Sequence, residues 1–152
     1  MTRFEDLLER DGRLVYKTKG TSMEPMLRQN RDLVIIEVPL SRLKKYDVAL
    51  YRRGEQYVLH RVIGVKSDHY RIRGDNTYSI ERVPFDAVIG VLKSFNRKGS
   101  THAVNERGYR FYARFWNAIF PLRFLRFYSI KGLKRIAKAL GLTPLLKRLF
   151  KR

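Results

Sequence analysis

The chain has 152 residues, 33 Lys+Arg against 14 Asp+Glu, a net charge of +19 and no cysteine. That length suits about one domain, and the lack of thiols excludes disulfides, thiolate metal sites and a cysteine nucleophile. A hydrophobic fraction of 44% with 12% aromatics excludes a disordered chain.

The charge is unevenly placed. Residues 107–152 hold 13 basic and no acidic side chains, whereas residues 1–106 hold 20 basic and 14 acidic. The sequence therefore divides into a mildly basic globular part, 1–106, and a strongly basic appendage, 107–152. No window reaches the ~18 consecutive apolar residues that a spanning helix requires. Met1 to Arg10 is acidic and amphipathic and lacks the apolar segment of a signal peptide. The expectation is a protein that stays where it is made and touches a membrane from one side only.

Phe4, Leu7 and Leu8 recur at helical spacing and predict a short helix that stops at Asp11-Gly12. From Arg13 the pattern is that of strands. Leu14–Tyr16, Leu33–Ile36, Val48–Tyr51, Tyr57–Val65, Tyr70–Arg73 and Ala87–Leu92 are short and rich in β-branched and aromatic residues. Clusters of Gly, Asn, Asp and Pro separate them, and Arg52 to Gln56 reads as a hairpin turn. With no helices alternating between the strands, the expected architecture is mainly β, an antiparallel barrel or sandwich.

After Asn105 the period becomes helical. Phe111, Phe115, Ile119, Leu122 and Leu125 form one stripe, with a kink expected at Pro121. A second stretch sets Ile130, Leu133, Ile136, Ala137 and Leu140 against Lys131, Lys134, Arg135 and Lys138, ending at Gly141. Thr143-Pro144 then supplies the N-cap and first-turn residues of a last short helix.

His60, His69 and His102 are far apart and show no metal-ligand spacing, and no glycine-rich phosphate loop is present, so no metal or cofactor is expected. Three other segments stand out. Gly20-Thr21-Ser22-Met23-Glu24-Pro25 places a hydroxyl in a turn. His60 lies on a strand, on the face of Val58 and Val62. Gly74-Asp75-Asn76 forms a further turn. Singly, each is ordinary. Together they offer a hydroxyl, an imidazole and carboxylates, the groups that serine acyl transfer needs.

In this order and spacing, Ser22-Met23-Glu24-Pro25, His60-Arg61-Val62 and Gly74-Asp75-Asn76 resemble the type I signal peptidases, in their endoplasmic-reticulum and archaeal branch. Asp32–Ile35, Tyr46–Tyr51 and Val88–Leu92 are similar too, so the resemblance runs from Gly20 to Leu92. The peptidase domains of SOS-type repressors share the fold and the Ser-Met pair but use a lysine base. His60-Arg61-Val62 favours the signal-peptidase side.

The resemblance implies a signal-peptidase-like antiparallel β core over 1–106, with Ser22 as nucleophile and His60 as base. The family's orienting aspartate falls on or near Glu81, and Asp75 is the other candidate for that role. Two further departures concern the oxyanion hole and the anchor. Gly20 stands where the family places a hydroxyl donor, leaving the Ser22 N–H. Only Phe4 to Glu9 stands where the family has a transmembrane helix.

Nine of the 19 aromatics lie between Tyr109 and Tyr128, interleaved with arginines. An apolar face on a polycationic helix suits in-plane binding to an anionic membrane surface. Core packing on the barrel and nucleic-acid binding are the competing readings of residues 107–152. Amphipathy without a recognisable nucleic-acid module favours lipid. The expectation is a serine endopeptidase acting on an extended peptide or protein substrate, bound peripherally at the cytoplasmic face of a membrane. The alternative is a non-catalytic protein on a degenerate peptidase fold that binds a peptide or an anionic surface.

Overall fold

The computed structural model describes residues 3–139. The chain divides into two compact units, Met1–Asn117 and Ala118–Arg152.

In the first unit, α1 (Phe4–Asp11) stops at Gly12, whose N–H bonds back to the Leu8 carbonyl at 2.9 Å. Eight strands follow: β1 (Arg13–Lys17), β2 (Leu33–Glu37), β3 (Val48–Arg53), β4 (Gln56–Val65), β5 (His69–Arg73), β6 (Glu81–Pro84), β7 (Val88–Arg97) and β8 (Ser100–Ala103). The unit ends in α2 (Arg107–Ala118), whose last residue lies just past its boundary.

All pairings are antiparallel, in the order β1-β2-β7-β3-β4-β5-β6, with β8 pairing β7 off this path. The protein is therefore mainly β, as the sequence predicts. The sheet is open, however, and not the closed barrel among the expected forms. Its path ends at β1 and β6, and β6 is four residues long and finishes in Pro84, which has no N–H to extend a ladder.

Alternation divides the core between the two faces of the sheet. Val34, Ile36, Val48, Leu50 and Leu92 pack on one side with Met23, Met26 and Leu27. Ala49, Tyr51, Val62, Ile72 and Val83 pack on the other. Val48 to Tyr51 on β3 are buried consecutively because this strand is covered on both faces. The β3–β4 turn at Gly54-Glu55 fixes the register Tyr51↔Val58 and Ala49↔His60, which puts His60 on the Tyr51–Val62 face.

Through Asn117, α2 belongs to the first unit. Tyr109, Tyr112, Ala113 and Trp116 form its inner face. Phe111 and Phe115, the first two residues of the expected apolar stripe, are 70% and 50% exposed and stack on one another. The aromatic residues one step away carry hydroxyl and indole donors, and these satisfy buried polar groups of the sheet that a phenyl ring leaves unbonded.

In the second unit, α3 (Phe120–Ala139) begins afresh. Pro121 occupies its first turn, where a missing N–H costs no helical bond, so the chain starts a new helix in place of the expected kink. Leu122, Leu125 and Tyr128 are exposed. No described helix is long and apolar enough to cross a membrane. The expected stop at Gly141 and the helix from Thr143-Pro144 lie outside the described residues.

Candidate active site

Ser22 lies in the long turn between β1 and β2, half-buried, and the turn is pinned at both ends. Met23, Met26 and Leu27 are buried in the core beneath it. At its base the Thr18 hydroxyl donates to the Arg28 carbonyl at 3.1 Å, and the Arg28 N–H donates to the Asp32 carboxylate at 2.8 Å. Gly20, at φ +80°, opens the turn in a backbone conformation that L side chains rarely adopt. A hydroxyl-bearing side chain at this position would be strained.

The Gly-Asp-Asn box meets this turn, and its three residues have different tasks. Gly74 allows a close approach: a Cβ there would lie 2.6 Å from the Ser22 carbonyl oxygen and 3.0 Å from His60 Nε2. Asn76 clamps the turn, its backbone N–H donating to the Ser22 carbonyl at 2.7 Å and its side-chain amide to Thr21 at 3.2 Å. Asp75 faces the opposite way. Its carboxylate accepts two bonds of 2.7 Å from the buried Arg61 guanidinium and one of 3.0 Å from the Tyr112 hydroxyl. Its carbonyl accepts from the Trp116 indole at 2.8 Å.

Strand alternation thus gives neighbouring residues separate roles. Arg61 joins β4 to α2, also donating to Tyr109 at 3.0 Å. Burial opposes its charge, but Asp75 beside it keeps the guanidinium firmly protonated. His60, on the other face, has Nδ1 3.2 Å from the Glu81 carboxylate, which selects the tautomer with the proton on Nδ1. The Tyr51 hydroxyl sits 3.3 Å from the same nitrogen and is also bonded to Glu81. Arg53 holds the second Glu81 oxygen at 3.2 Å. Nε2 is left as an acceptor on the side of Gly74 and the Ser22 turn.

Burial lowers the His60 pKa below its ordinary value; Glu81 opposes the shift and Arg53 adds to it. The imidazole is therefore neutral at pH 7, the form that can accept a proton. Burial, reinforced by Glu81, raises the Tyr51 phenol well above its ordinary range, so it stays a donor.

All four candidates, Ser22, His60, Asp75 and Glu81, fall in one region of the first unit, but they do not form one constellation. Glu81 faces His60, and Asp75 faces Arg61. Sequence reasoning missed Tyr51 and Arg53. The signal was present in the hairpin: a turn centred on Gly54-Glu55 places Tyr51 diagonal to His60 on the same face. Among the described residues no three His, Asp or Glu side chains gather as metal ligands would. No known protein family matches the chain, and no curated protein is similar to it.

Gly74→Ala tests the close approach. The new methyl would meet backbone oxygen, which cannot rotate away, so the substitution should destabilise by about 1–3 kcal/mol. Urea unfolding measures this. An unchanged midpoint would mean that the Ser22 turn is not held against Gly74.

Proposed function

We propose that the protein is a signal-peptidase-like serine endopeptidase working at an anionic membrane surface. The observation that carries this reading is the placement of His60, with Nδ1 against Glu81 and Nε2 on the side of the Ser22 turn. In the mechanism, Nε2 takes the Ser22 hydroxyl proton as the oxygen attacks the scissile carbonyl. The resulting imidazolium is stabilised by Glu81 and returns the proton to the leaving amine. Water, deprotonated by the same nitrogen, then hydrolyses the acyl-serine ester and regenerates the hydroxyl. An extended substrate suits a fold whose open sheet can accept an added strand. The finer fold assignment, a signal-peptidase-like core, rests on the three motifs and on the tasks that the Gly-Asp-Asn residues divide.

A fluorophosphonate probe tests the assignment. Labelling of Ser22, lost in His60→Ala and identified by peptide mass spectrometry, is the expected result. No labelling of a folded protein would favour the binding-only alternative.

The lowered His60 pKa predicts a pH profile. Activity should stay level as pH falls through about 6.5 and decline only below it, because the base remains neutral there. Glu81→Gln removes an opposing influence and should move the acidic limb lower still. Stability has the matching sign. The unfolded chain binds this proton more readily, so the contribution of neutral His60 is complete above about pH 6.5 and is lost as pH falls through the folded value. A limb above pH 6.5 that follows His60 would contradict the burial argument.

Membrane association draws on the exposed Phe111 and Phe115 beside Arg110 and Arg114, and on the charge of residues 118–152. The full chain should float with anionic vesicles and be partly released at 1 M salt, where the Debye length is ~3 Å. A chain ending at Asn117 should stay folded, keep its activity on a soluble peptide and bind such vesicles more weakly. One ending at Glu106 should be unstable, because it strips Tyr109, Tyr112 and Trp116 from Arg61 and Asp75. Undiminished vesicle binding by the Asn117 chain would remove residues 118–152 from the interface. Tighter binding to duplex DNA would favour nucleic acid.

A further inference from the structure

Besides the candidate active site, the sheet carries a second charged cluster. Lys66, Ser67, Asp68, His69, Arg71 and Arg82 line an open cavity of about 400 Å³ at the β4–β5 turn and the terminal strand β6. Arg71 and Arg82 are direct cross-strand partners in the β5–β6 ladder. Like charges so placed repel, and the arrangement costs stability unless an anion lies between them.

The neighbouring pair shows how the protein meets the same problem internally. Arg61 and Arg73 are also cross-strand partners, and the fold supplies Asp75 to the first and Asn117, at 2.9 Å, to the second. Among the described residues no direct ion pair links Arg71, Arg82 or Lys66 to a carboxylate, and the rim carboxylate of Asp68 acts on Arg82 only through space.

Arg82 is also held in place. Its Nε donates to His69 Nε2 at 3.4 Å, and His69 Nδ1 donates in turn to the Asp68 carboxylate at 2.7 Å. The His69 side chain is only 11% exposed, so this relay is anchored in the sheet. It uses Nε of Arg82 and leaves the terminal amino groups of the guanidinium for a ligand.

We propose that this cavity binds a phosphate group, held between the Arg71 and Arg82 guanidiniums with Lys66 at the rim. Two planar donor forks and an ammonium match the several oxygens of a phosphate. The cavity's openness leaves room for the esterified remainder outside. Asp68, 79% exposed at the rim, works against a long polyanion and favours a single phosphate or short phosphate ester. Arg71 points to the sheet face opposite Tyr70 and Ile72, away from the face of His60, so the site is independent of the peptidase assignment. A lipid headgroup and a soluble ester present the same phosphate chemistry.

Pyrophosphate binding to the full chain, followed by titration calorimetry and thermal unfolding, tests this. Pyrophosphate should raise the melting temperature. Arg71→Gln with Arg82→Gln should weaken it at least tenfold, whereas Lys17→Gln with Lys19→Gln, which removes the same charge elsewhere, should change it less than twofold. Without ligand, both double variants should keep the parent's circular dichroism, so that lost binding is not lost fold. Flotation with vesicles of phosphatidic acid and of phosphatidylserine at matched charge, which residues 118–152 bind alike, separates the sources. If the arginine variant loses pyrophosphate binding and the parent's preference for phosphatidate over phosphatidylserine, the ligand is a headgroup; if the parent has no such preference and the variant loses pyrophosphate alone, a soluble ester. Equal weakening by the two double variants, or no measurable pyrophosphate binding by the parent, would overturn the proposal.

Discussion

Ser22→Ala and His60→Ala are each expected to lower peptide cleavage by on the order of 10⁴–10⁶, because each removes an obligate step of a single mechanism. The losses should not add: once the hydroxyl is gone the imidazole has no proton to take, so the double variant should resemble either single one. Their effects on stability should differ. Ser22 is half-buried on a turn whose hold comes from Met23, Met26, Leu27 and Asn76, so its hydroxyl can be removed with a change in stability below about 0.5 kcal/mol. His60 is 5% exposed among Tyr51, Glu81 and Gly74, and removing the ring leaves a cavity and takes one partner from the Glu81 carboxylate. A cost of about 1–3 kcal/mol is expected there, so activity must be compared on protein whose circular dichroism confirms the fold. Parental turnover in Ser22→Ala would end the serine-peptidase reading.

Much of this geometry could be read in the sequence, for identifiable reasons. The helix over Phe4–Asp11 and the strands around Leu33–Ile36, Val48–Tyr51 and Tyr57–Val65 carry strong local patterns, and they form where expected. The weaker elements were missed. β6 runs Glu-Arg-Val-Pro and β8 Ser-Thr-His-Ala, with one or two apolar side chains apiece, so alternation has little to act upon. Their place in the sheet comes from partners distant in sequence, such as the pairing of β6 with β5. Barrel closure is likewise a long-range property: nothing local to β1 or β6 says whether those two strands meet.

The inner face of α2 was not legible in the sequence for a physical reason. Hydrophobic periodicity ranks Phe111 and Phe115 above Tyr109, Tyr112 and Trp116. The surface that α2 covers, however, contains a buried guanidinium and a buried carboxylate, and it demands donors and acceptors as well as apolar area. The sequence carried that demand in Arg61 and Asp75. Because the two lie fourteen positions apart, only the fold reveals that they are paired.

Asp75→Asn and Glu81→Gln are expected to separate stability from catalysis. Asp75→Asn leaves Arg61, fully buried, facing a neutral amide, and it replaces one charge-assisted bond by an amino group directed at a donor. Breaking a buried pair from one side typically costs about 3–5 kcal/mol. Tyr112 loses its acceptor as well, so α2 should loosen together with the Gly74–Asn76 turn. The melting temperature should fall sharply, and surviving folded protein should still turn over. Glu81→Gln preserves shape, and Glu81 is partly exposed with Arg53 at its outer oxygen, so the loss of stability should stay below about 1 kcal/mol. Its catalytic effect should be far larger. A neutral amide cannot stabilise the imidazolium, and it can present an N–H to Nδ1, selecting the tautomer whose proton sits on Nε2, where the hydroxyl needs an acceptor. The comparable change in a serine triad lowers turnover by about 10⁴. Melting curves and turnover measured side by side on the two proteins decide the matter. A folded Asp75→Asn protein without turnover, beside an active Glu81→Gln protein, would transfer the orienting role to Asp75 and leave the Glu81–His60 contact as packing alone.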